Sequence, residues 1–311
     1  MILAAGLTPA LQQIVVLESF STGEVNRAVE TRWCASGKVL NVGIALEHLG
    51  VASRTLSLLG RRADSYIEHE LATLDISCRW IRTVAPTRIC TTILDRATGR
   101  STELVENAAA VTADELDRFA DAFAEEARDS RAVVLTGSMP AGTPRDFYAR
   151  LLATTTAPVV LDVRGPELHA ALEHRPLLIK PNVVELAHTL SCSAEVLAED
   201  DDALIAACRE LIERGAQWTL ITRGSRPALL CSAAAAYELV PPRLDSVVNA
   251  IGSGDCAAAA FAWAITGGHD VPDACRHALA AGTLNARVLL PGRLSAADVT
   301  AWAQRVECRR V

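Results

Sequence analysis

The stretch from Val248 to Asp255 places two glycines and an aspartate immediately before an apolar helical run, Cys256–Ile265. Gly252 and Gly254 permit positive φ and a close main-chain approach, so successive N–H groups can converge on an anion. The positive end of the helix dipole falls at the same place. From there Asp255 can accept a proton from a hydroxyl that attacks a phosphoryl group. A turn in which Asp255 only caps the helix fits the local sequence equally well.

A second polar group lies at Lys180-Pro181-Asn182-Val183-Val184-Glu185, where a proline blocks the continuation of an apolar strand. Asn182 and Glu185 share the first turn of the following helix, so both face the carboxyl end of the sheet. Their oxygens suit a hydrated Mg²⁺, which keeps most of its waters and needs only one or two side-chain anchors. A simple capping pair without metal explains the same two residues. Both interpretations remain open from the residues alone.

Two further turns give weaker signals. Thr136–Gly142 is a Gly-Ser turn directly after an apolar strand, at the edge where open α/β folds bind ligands. Ser36-Gly37-Lys38 superficially resembles a phosphate-binding P-loop. The required G-x-x-x-x-G-K-[ST] spacing fails, however, because position 32 is an arginine and Val39 stands where Ser or Thr would be. A dinucleotide-binding G-x-G-x-x-G fingerprint is absent as well.

The composition excludes several classes of protein. The 311 residues carry a net charge of −7, which rules out a broadly basic nucleic-acid-binding surface. The mean hydropathy is +0.22, but the apolar run Ala257–Ile265 is far shorter than the roughly 20 residues of a membrane span. The first residues have no basic region, so we expect no signal peptide. Nine cysteines without a C-x-x-C pair favour reduced thiols in the cytoplasm over zinc sites or disulfides.

From about residue 112 onward, short apolar runs alternate with amphipathic ones. We predict strands at Ala132–Thr136, Val159–Val163, Leu177–Lys180 and Trp218–Thr222, with helices opening at Thr112, Thr143-Pro144 and Asn182 and another over Asp202–Arg214. The first of these helices starts with a capping box of Thr112 and Glu115. Continuous apolar strands separated by helices predict a doubly wound, mostly parallel α/β sheet with helices on both faces.

The first 110 residues follow a different pattern. Leu11–Leu17 and Arg88–Asp95 are β-rich but interrupted by polar residues, as in strands with one exposed face. A helix is expected from about Val39 to Leu49, ending at Gly50. We predict a small β-sheet lid, from about residues 8–32 and 86–106, over a cleft of one domain that spans residues 1–311.

Several motifs in this order resemble the PfkB (ribokinase-like) carbohydrate kinases, most closely the branch of 1-phosphofructokinase and tagatose-6-phosphate kinase. The likeness runs from Leu7-Thr8-Pro9-Ala10 to Pro291-Gly292. The matching motifs are Gly23-Glu24-Val25-Asn26-Arg27, Thr87-Arg88-Ile89, Thr102-Glu103-Leu104, Gly137-Ser138-Met139-Pro140, Lys180-Pro181-Asn182-x-x-Glu185 and Gly252-Ser253-Gly254-Asp255. The resemblance implies ATP-dependent transfer of a phosphoryl group to a hydroxyl of a sugar or sugar phosphate.

The resemblance also implies roles for individual residues. Asp255 would be the catalytic base, and the main-chain N–H groups of Gly252, Ser253, Gly254 and Asp255 would form an anion hole. Asn182 and Glu185 would hold Mg²⁺ through water. The residues on the ATP side would be Lys180, Thr222, Gly224 and Asn285, the last against the adenine. Those facing the acceptor would be Gln12, Gly37, Asn41, Arg88 and Ser138, with the planar fork of Arg88 clamping a phosphate. Such kinases are also similar in forming homodimers through their lid sheets.

Four departures from the family pattern concern the substrate side and the nucleotide loop. Gln12 replaces an aspartate, Ser36 and Val39 replace glycines, and Pro227 replaces the glycine of a G-x-x-G loop. They leave the acceptor open, and with it two alternatives: a catalytically weak sugar- or nucleotide-binding regulatory protein of the same fold, or a kinase for another alcohol such as a nucleoside. Arg88 favours an anionic acceptor over a nucleoside.

Overall fold

A computed structural model describes residues 1–311, which form fourteen strands and eleven α-helices. The strands are β1 (Ile2–Gly6), β2 (Ala10–Leu17), β3 (Glu30–Ser36), β4 (Ser53–Gly60), β5 (Cys78–Thr83), β6 (Arg88–Asp95), β7 (Arg100–Val105), β8 (Ala132–Thr136), β9 (Val159–Asp162), β10 (Leu178–Ile179), β11 (Trp218–Arg223), β12 (Arg226–Ser232), β13 (Ala236–Val240) and β14 (Glu307–Arg310). The helices are α1 (Lys38–His48), α2 (Asp64–Thr73), α3 (Ala113–Arg128), α4 (Phe147–Leu152), α5 (Pro166–Ala171), α6 (Val183–Leu190), α7 (Ala194–Glu199), α8 (Asp201–Glu213), α9 (Ser253–Thr266), α10 (Val271–Asn285) and α11 (Ala296–Ala303).

Ten strands form the main sheet in the order β14-β13-β12-β11-β10-β9-β8-β1-β4-β5. Strands β11 to β5 in this order pair in parallel, whereas β12, β13 and β14 add an antiparallel edge. Both β8 and β9 are buried at every position, because helices cover both faces of the sheet. The predicted mostly parallel, doubly wound α/β fold is confirmed.

Helices α3 to α8 contribute to a cluster of 35 buried residues on one face of the sheet. Helices α1, α9, α10 and α11 contribute to a cluster of 32 on the other. The predicted start of α3 is confirmed, since Thr112 Oγ1 accepts from Glu115 N at 3.2 Å and Glu115 Oε2 accepts from Thr112 N at 2.7 Å. None of the eleven helices has both the length and the apolar character needed to cross a membrane.

The contribution of the first 110 residues to the main sheet was not predicted. Strand β1 is the third strand from the β5 edge, between β8 and β4, and all five of its residues are buried. Its sequence, ILAAG, has only one β-branched residue, so a strand cannot be told from a buried helix by composition. Two predicted boundaries also shift: the helix expected at Thr143-Pro144 begins at Phe147, and the strand expected over Leu177–Lys180 is confined to Leu178–Ile179.

The predicted second sheet is present and has four strands in the order β3-β2-β6-β7. Strands β2 and β6 pair in parallel from Ala10↔Arg88 to Leu17↔Asp95. Burial alternates along both strands, as the interrupted pattern predicted for strands with one exposed face. Strand β3 continues to Ser36, four residues beyond the predicted limit of the lid at residue 32.

Candidate active site

A cleft of about 430 Å³ opens where the carboxyl ends of β9, β10 and β11 meet the N-termini of α1 and α9, with the second sheet on the other side. This is the edge at which open α/β folds bind ligands. Twelve of the site residues expected from the sequence line it: Gln12, Gly37, Asn41, Arg88, Lys180, Asn182, Glu185, Thr222, Gly224, Gly252, Gly254 and Asp255. Residues far apart in the chain therefore share one site.

The loop before α9 depends on its glycines. Gly252 has φ 83°, and a Cβ there would lie 2.7 Å from the Pro291 side chain, so both conformation and space require glycine. The N–H groups of Gly252, Gly254 and Asp255 make no hydrogen bond within the protein, whereas that of Ser253 donates to Ala250 O at 3.2 Å. Three of the four N–H groups expected to form the anion hole are thus free to bind an anion.

Asp255 lies in the first turn of α9 and is 6% exposed. Its Oδ2 accepts from Asn41 Nδ2 at 2.7 Å, and its Oδ1 has no partner within the protein. Burial raises the pKa of Asp255 to about 7, with the positive charges of Lys38 and Lys180 acting in the opposite direction. A carboxyl that exchanges its proton near neutral pH matches the requirement for a general base.

The amide that holds Asp255 is itself oriented by Ser36. The Ser36 hydroxyl donates to Asn41 Oδ1 at 3.1 Å, which leaves the NH₂ group of Asn41 facing Asp255. Both Ser36 and Asn41 are buried. The serine that departs from the family's glycine pattern therefore supports the candidate base rather than removing a contact from it.

Asp162, which the sequence analysis did not single out, lies at the centre of the cleft's charges. It is 1% exposed at the end of β9, and both its carboxylate oxygens are 3.2 Å from Lys38 Nζ. Lys180 Nζ lies 3.4 Å from Asp162 Oδ1. Burial alone would raise the pKa of Asp162, but Lys180 and Lys38 outweigh it and lower that pKa. The only sequence signal was a carboxylate within the otherwise apolar strand predicted over Val159–Val163.

Lys38 was noted in the sequence only within a failed P-loop pattern. Its Nζ also lies 3.2 Å from Glu185 Oε1, so one ammonium group joins two carboxylates of the cleft. Burial acts to lower the pKa of Lys38, but Asp162, Glu185 and Asp255 outweigh it, so the net shift is upward. Lys180 extends to the loop before α9, because a Cβ on Gly254 would lie 3.2 Å from its Nζ.

Asn182 and Glu185 form the capping box that was one of their two interpretations. Glu185 N donates to Asn182 Oδ1 at 2.9 Å, and Asn182 N donates to Glu185 Oε2 at 3.0 Å. Direct coordination of a cation by Glu185 Oε1 is opposed by the Lys38 ammonium beside it. Their position at the cleft fits a magnesium ion held through its waters, which needs only acceptor atoms at a distance.

Arg88 and Gln12 occupy the wall formed by the second sheet. Arg88 Nη2 donates to Thr8 O at 3.0 Å, and its Nε is buried without a partner. No carboxylate lies within 4.0 Å of its guanidinium group, so Arg88 forms no direct ion pair, although at longer range its charge opposes the burial that raises the pKa of Glu103. Gln12 is buried, and its Nε2 donates to Thr92 Oγ1 at 2.8 Å.

The turn between β11 and β12 accommodates Pro227 without breaking the hairpin. Thr222 N donates to Pro181 O at 3.3 Å, which places the end of β11 beside Asn182. Gly224 has φ 63° in the turn between β11 and β12, with open space where a side chain would be. Pro227 lies next to the irregular register between Ile221 and Arg223.

Three expected residues lie outside the lining of the cleft. Ser138 is exposed, and its hydroxyl oxygen lies 3.3 Å from that of Thr8. The Ser253 hydroxyl accepts a hydrogen bond from Asn285 Nδ2. Asn285 is fully buried. Its Nδ2 donates to Ile251 O at 2.9 Å and its Oδ1 accepts from Gly292 N at 3.0 Å. The Asn285 side chain thus ties the loop before α9 to the segment at Gly292, and it does not line the cleft.

The fold and the cleft together define a class: an α/β phosphotransferase with a buried acid at a glycine-rich helix N-terminus. The chain matches the pfkB family of carbohydrate kinases over residues 2–292 and belongs to that family. It is accordingly a phosphotransferase that acts on a hydroxyl of a carbohydrate, with ATP as the phosphoryl donor general to the family.

Solved structures similar to this chain share its fold over nearly their whole length. A possible 1-phosphofructokinase from Thermotoga maritima is 19% identical with a TM-score of 0.89, covering 100% of this chain and 99% of its own. Phosphofructokinase-2 from Escherichia coli in complex with fructose-6-phosphate is 21% identical with a TM-score of 0.85, covering 98% and 99%. A carbohydrate kinase from Agrobacterium tumefaciens is 18% identical with a TM-score of 0.73, covering 100% and 99%.

Proposed function

We propose that this protein transfers the γ-phosphoryl group of ATP to a hydroxyl of a phosphorylated sugar, with Asp255 as the general base. The single observation that supports this most strongly is the free Oδ1 of a buried Asp255 at the N-terminus of α9, beside three unpaired N–H groups. Phosphoryl transfer asks mainly for positioning and charge neutralisation, and these groups supply both.

In the proposed reaction the acceptor hydroxyl approaches Asp255 Oδ1 and gives its proton to it. The hydroxyl oxygen forms a bond to the γ-phosphorus of ATP as the bond to the leaving ADP oxygen breaks. The N–H groups of Gly252, Gly254 and Asp255 donate to the transferring oxygens, and Lys38 and Lys180 balance their charge. Asn41 keeps the carboxylate oriented through Oδ2 while Oδ1 remains available.

Magnesium fits the edge of this cleft beside Asn182 and Glu185, held through water. When bound there, Mg²⁺ neutralises phosphate charge. Glu185 has a second task in this proposal, because its Oε1 contacts Lys38 and so keeps that ammonium group directed into the cleft. Glu185 therefore contributes to the proposed site both by its negative charge and by positioning Lys38.

A phosphate on the acceptor is the substrate feature that Arg88 supports. Its guanidinium group contacts only main-chain oxygens, Thr8 O and Glu106 O, and its Nε is unpaired. A planar guanidinium with free donors binds phosphate oxygens in pairs. A neutral sugar or a nucleoside would offer no counterion to this half-buried guanidinium group.

The decisive experiment measures ADP release with a panel of sugar phosphates, their unphosphorylated forms and nucleosides. We expect turnover with a phosphorylated sugar, and Arg88→Gln should raise its KM by about tenfold or more, consistent with loss of a charge-assisted contact. Arg96→Gln, in the turn between β6 and β7 and paired with Glu18 at the surface, is the matched control. ATP binding without turnover of any acceptor would favour a regulatory protein of the same fold. Turnover of nucleosides alone would favour a nucleoside kinase.

We further propose a homodimer formed through the second sheet. Strand β7 is exposed along its whole length, and apolar side chains on this sheet and its connections remain outside the core. The exposed ones are Val29, Trp33, Leu104 and Val105, each at least 39% accessible. Sedimentation velocity tests this: Leu104→Glu should shift a dimer toward monomer, and a wild-type protein that sediments as a monomer would contradict it.

A further inference from the structure

A group of potential metal ligands lies at the end of α9 opposite Asp255. His269 is in the connection between α9 and α10, and Asp273 and His277 follow on the first two turns of α10. Asp273 and His277 are four residues apart and share one side of α10, and the connection brings His269 to the same place. One ligand atom from each lies within 4.8 Å of the others.

His277 has the geometry of a metal-binding imidazole. It is 4% exposed, and its Nδ1 lies 2.9 Å from the main-chain oxygen of Asp273. A carbonyl only accepts, so the proton is on Nδ1 and the lone pair is on Nε2, which has no hydrogen-bond partner in the protein. The Trp263 and His277 rings pack edge to face, with 5.7 Å between centroids and 75° between planes, and this contact restricts rotation of the imidazole. In metal sites, a hydrogen bond from the non-coordinating ring nitrogen to a carbonyl oxygen orients the histidine ligand.

His269 and Asp273 complete the set of donors. His269 Nδ1 contacts Asp273 Oδ2, and the two imidazole rings lie 4.6 Å apart between centroids. The main chain of His269 is fixed by a bond from its N–H to Ala264 O at 3.1 Å. Two imidazole nitrogens and one carboxylate oxygen, with a side open to solvent, match the preference of Zn²⁺ and related divalent transition metals.

We propose that His269, Asp273 and His277 bind one divalent transition-metal ion of the zinc class and thereby clamp the α9–α10 connection onto α10. Contraction of the three ligand atoms around one ion requires small side-chain movements only, because metal–ligand distances are about 2.0–2.2 Å. Arg276 Nη1 lies 3.9 Å from the other oxygen of Asp273 and opposes the ion's charge. The site is distinct from the cleft, since α9 separates them by roughly 20 Å at 1.5 Å per residue.

Calorimetric titration of the metal-free full chain with Zn²⁺ tests the proposal. We expect one high-affinity equivalent per chain, weakened about tenfold or more in both His269→Ala and His277→Gln. Arg276→Gln should tighten binding, because it removes the opposing positive charge beside Asp273. His174→Gln, a histidine elsewhere on the surface, is the control and should bind as wild type.

Cobalt substitution distinguishes this site from binding to cysteine. Co²⁺ at His269, Asp273 and His277 should give visible ligand-field bands without the near-ultraviolet charge-transfer band of a thiolate ligand. No stoichiometric Zn²⁺ binding, a thiolate band, or undiminished affinity in His269→Ala would each overturn the proposal. His269 is exposed, so its variant should fold, and it should keep wild-type kinase activity because it contacts nothing in the cleft.

Discussion

Replacing Asp255 with asparagine should abolish most activity and at the same time stabilise the folded protein at alkaline pH. The carboxylate is buried, and its pKa is raised from 3.8 to about 7. Each pKa unit corresponds to about 1.4 kcal/mol, so the ionised group costs the folded state about 4 kcal/mol. Asparagine has nearly the same shape and no charge to bury. This figure already includes the attraction of Lys38 and Lys180, which act to lower the pKa of Asp255.

The sign of the effect depends on pH in a defined way. Below about pH 3.8 Asp255 is protonated in both the folded and the unfolded chain, and it makes no difference to stability. Between that pH and about 7 the folded chain retains the proton that the unfolded chain has lost, so stability falls as pH rises. Above about pH 7 the folded chain bears the full free-energy cost of the buried charge on Asp255. The asparagine variant should therefore gain most over wild type near pH 8 and little near pH 4.

The two effects are measured by thermal unfolding at pH 5 and pH 8 and by steady-state ADP release. We expect kcat to fall by a factor on the order of 10²–10⁴, as for removal of a general base. Asp162→Asn is the matched control, because the pKa of Asp162 is lowered by Lys180 and Lys38 and its loss should destabilise the fold. Undiminished turnover in Asp255→Asn would refute the assigned base, and a lower melting temperature at pH 8 would refute the argument from burial.

Three further outcomes follow from the same geometry. The kcat/KM of the wild type should rise with pH through about 7 and then level off as Asp255 ionises; a pH-rate profile flat from 5.5 to 8.5 would contradict the raised pKa. Ser36→Ala should lower kcat several-fold with little change in the KM for ATP, because it frees the Asn41 amide to rotate; Ser36→Thr, which keeps the hydroxyl, should restore activity. Glu185→Gln should raise the Mg²⁺ concentration needed for half-maximal rate and destabilise α6 by up to about 1 kcal/mol through the weakened cap, both measurable by magnesium titration and thermal unfolding.

The parts of the fold that could be predicted were those with a local chemical cause. The helix over Ala113–Arg128 starts where the Thr112 and Glu115 side chains accept hydrogen bonds from each other's main-chain N–H groups. The three-residue spacing of Thr112 and Glu115 predicts this capping box from the sequence. Strands β8 and β9 were predicted because burial on both faces leaves a continuous apolar run. Strand β1 has the same burial, but its sequence ILAAG contains a single β-branched residue, whereas β8 and β9 each contain two adjacent valines that favour a strand.

The charge arrangement of the cleft could not be predicted, because it arises from pairs that are distant in the chain. Asp162 meets Lys38 across 124 positions, and nothing near Asp162 in the sequence indicates a lysine partner. The position of Asn285 shows a second limit. The family resemblance implied a role for Asn285 on the ATP side, but nothing in the sequence indicated that its amide faces the loop at Ile251.

The two buried aspartates show how one residue type acquires opposite properties within a single cleft. Asp162 has two ammonium groups within 3.4 Å, and they hold it in the ionised form. Asp255 has the Asn41 amide as its only direct partner, and a neutral amide does not compensate for a buried charge. Asp162 therefore fixes the lysines, while Asp255 remains able to exchange a proton. Moving a single positive charge into direct contact with Asp255 would lower its pKa and weaken it as a base, which explains why Lys38 is tied to Asp162 and Glu185 instead.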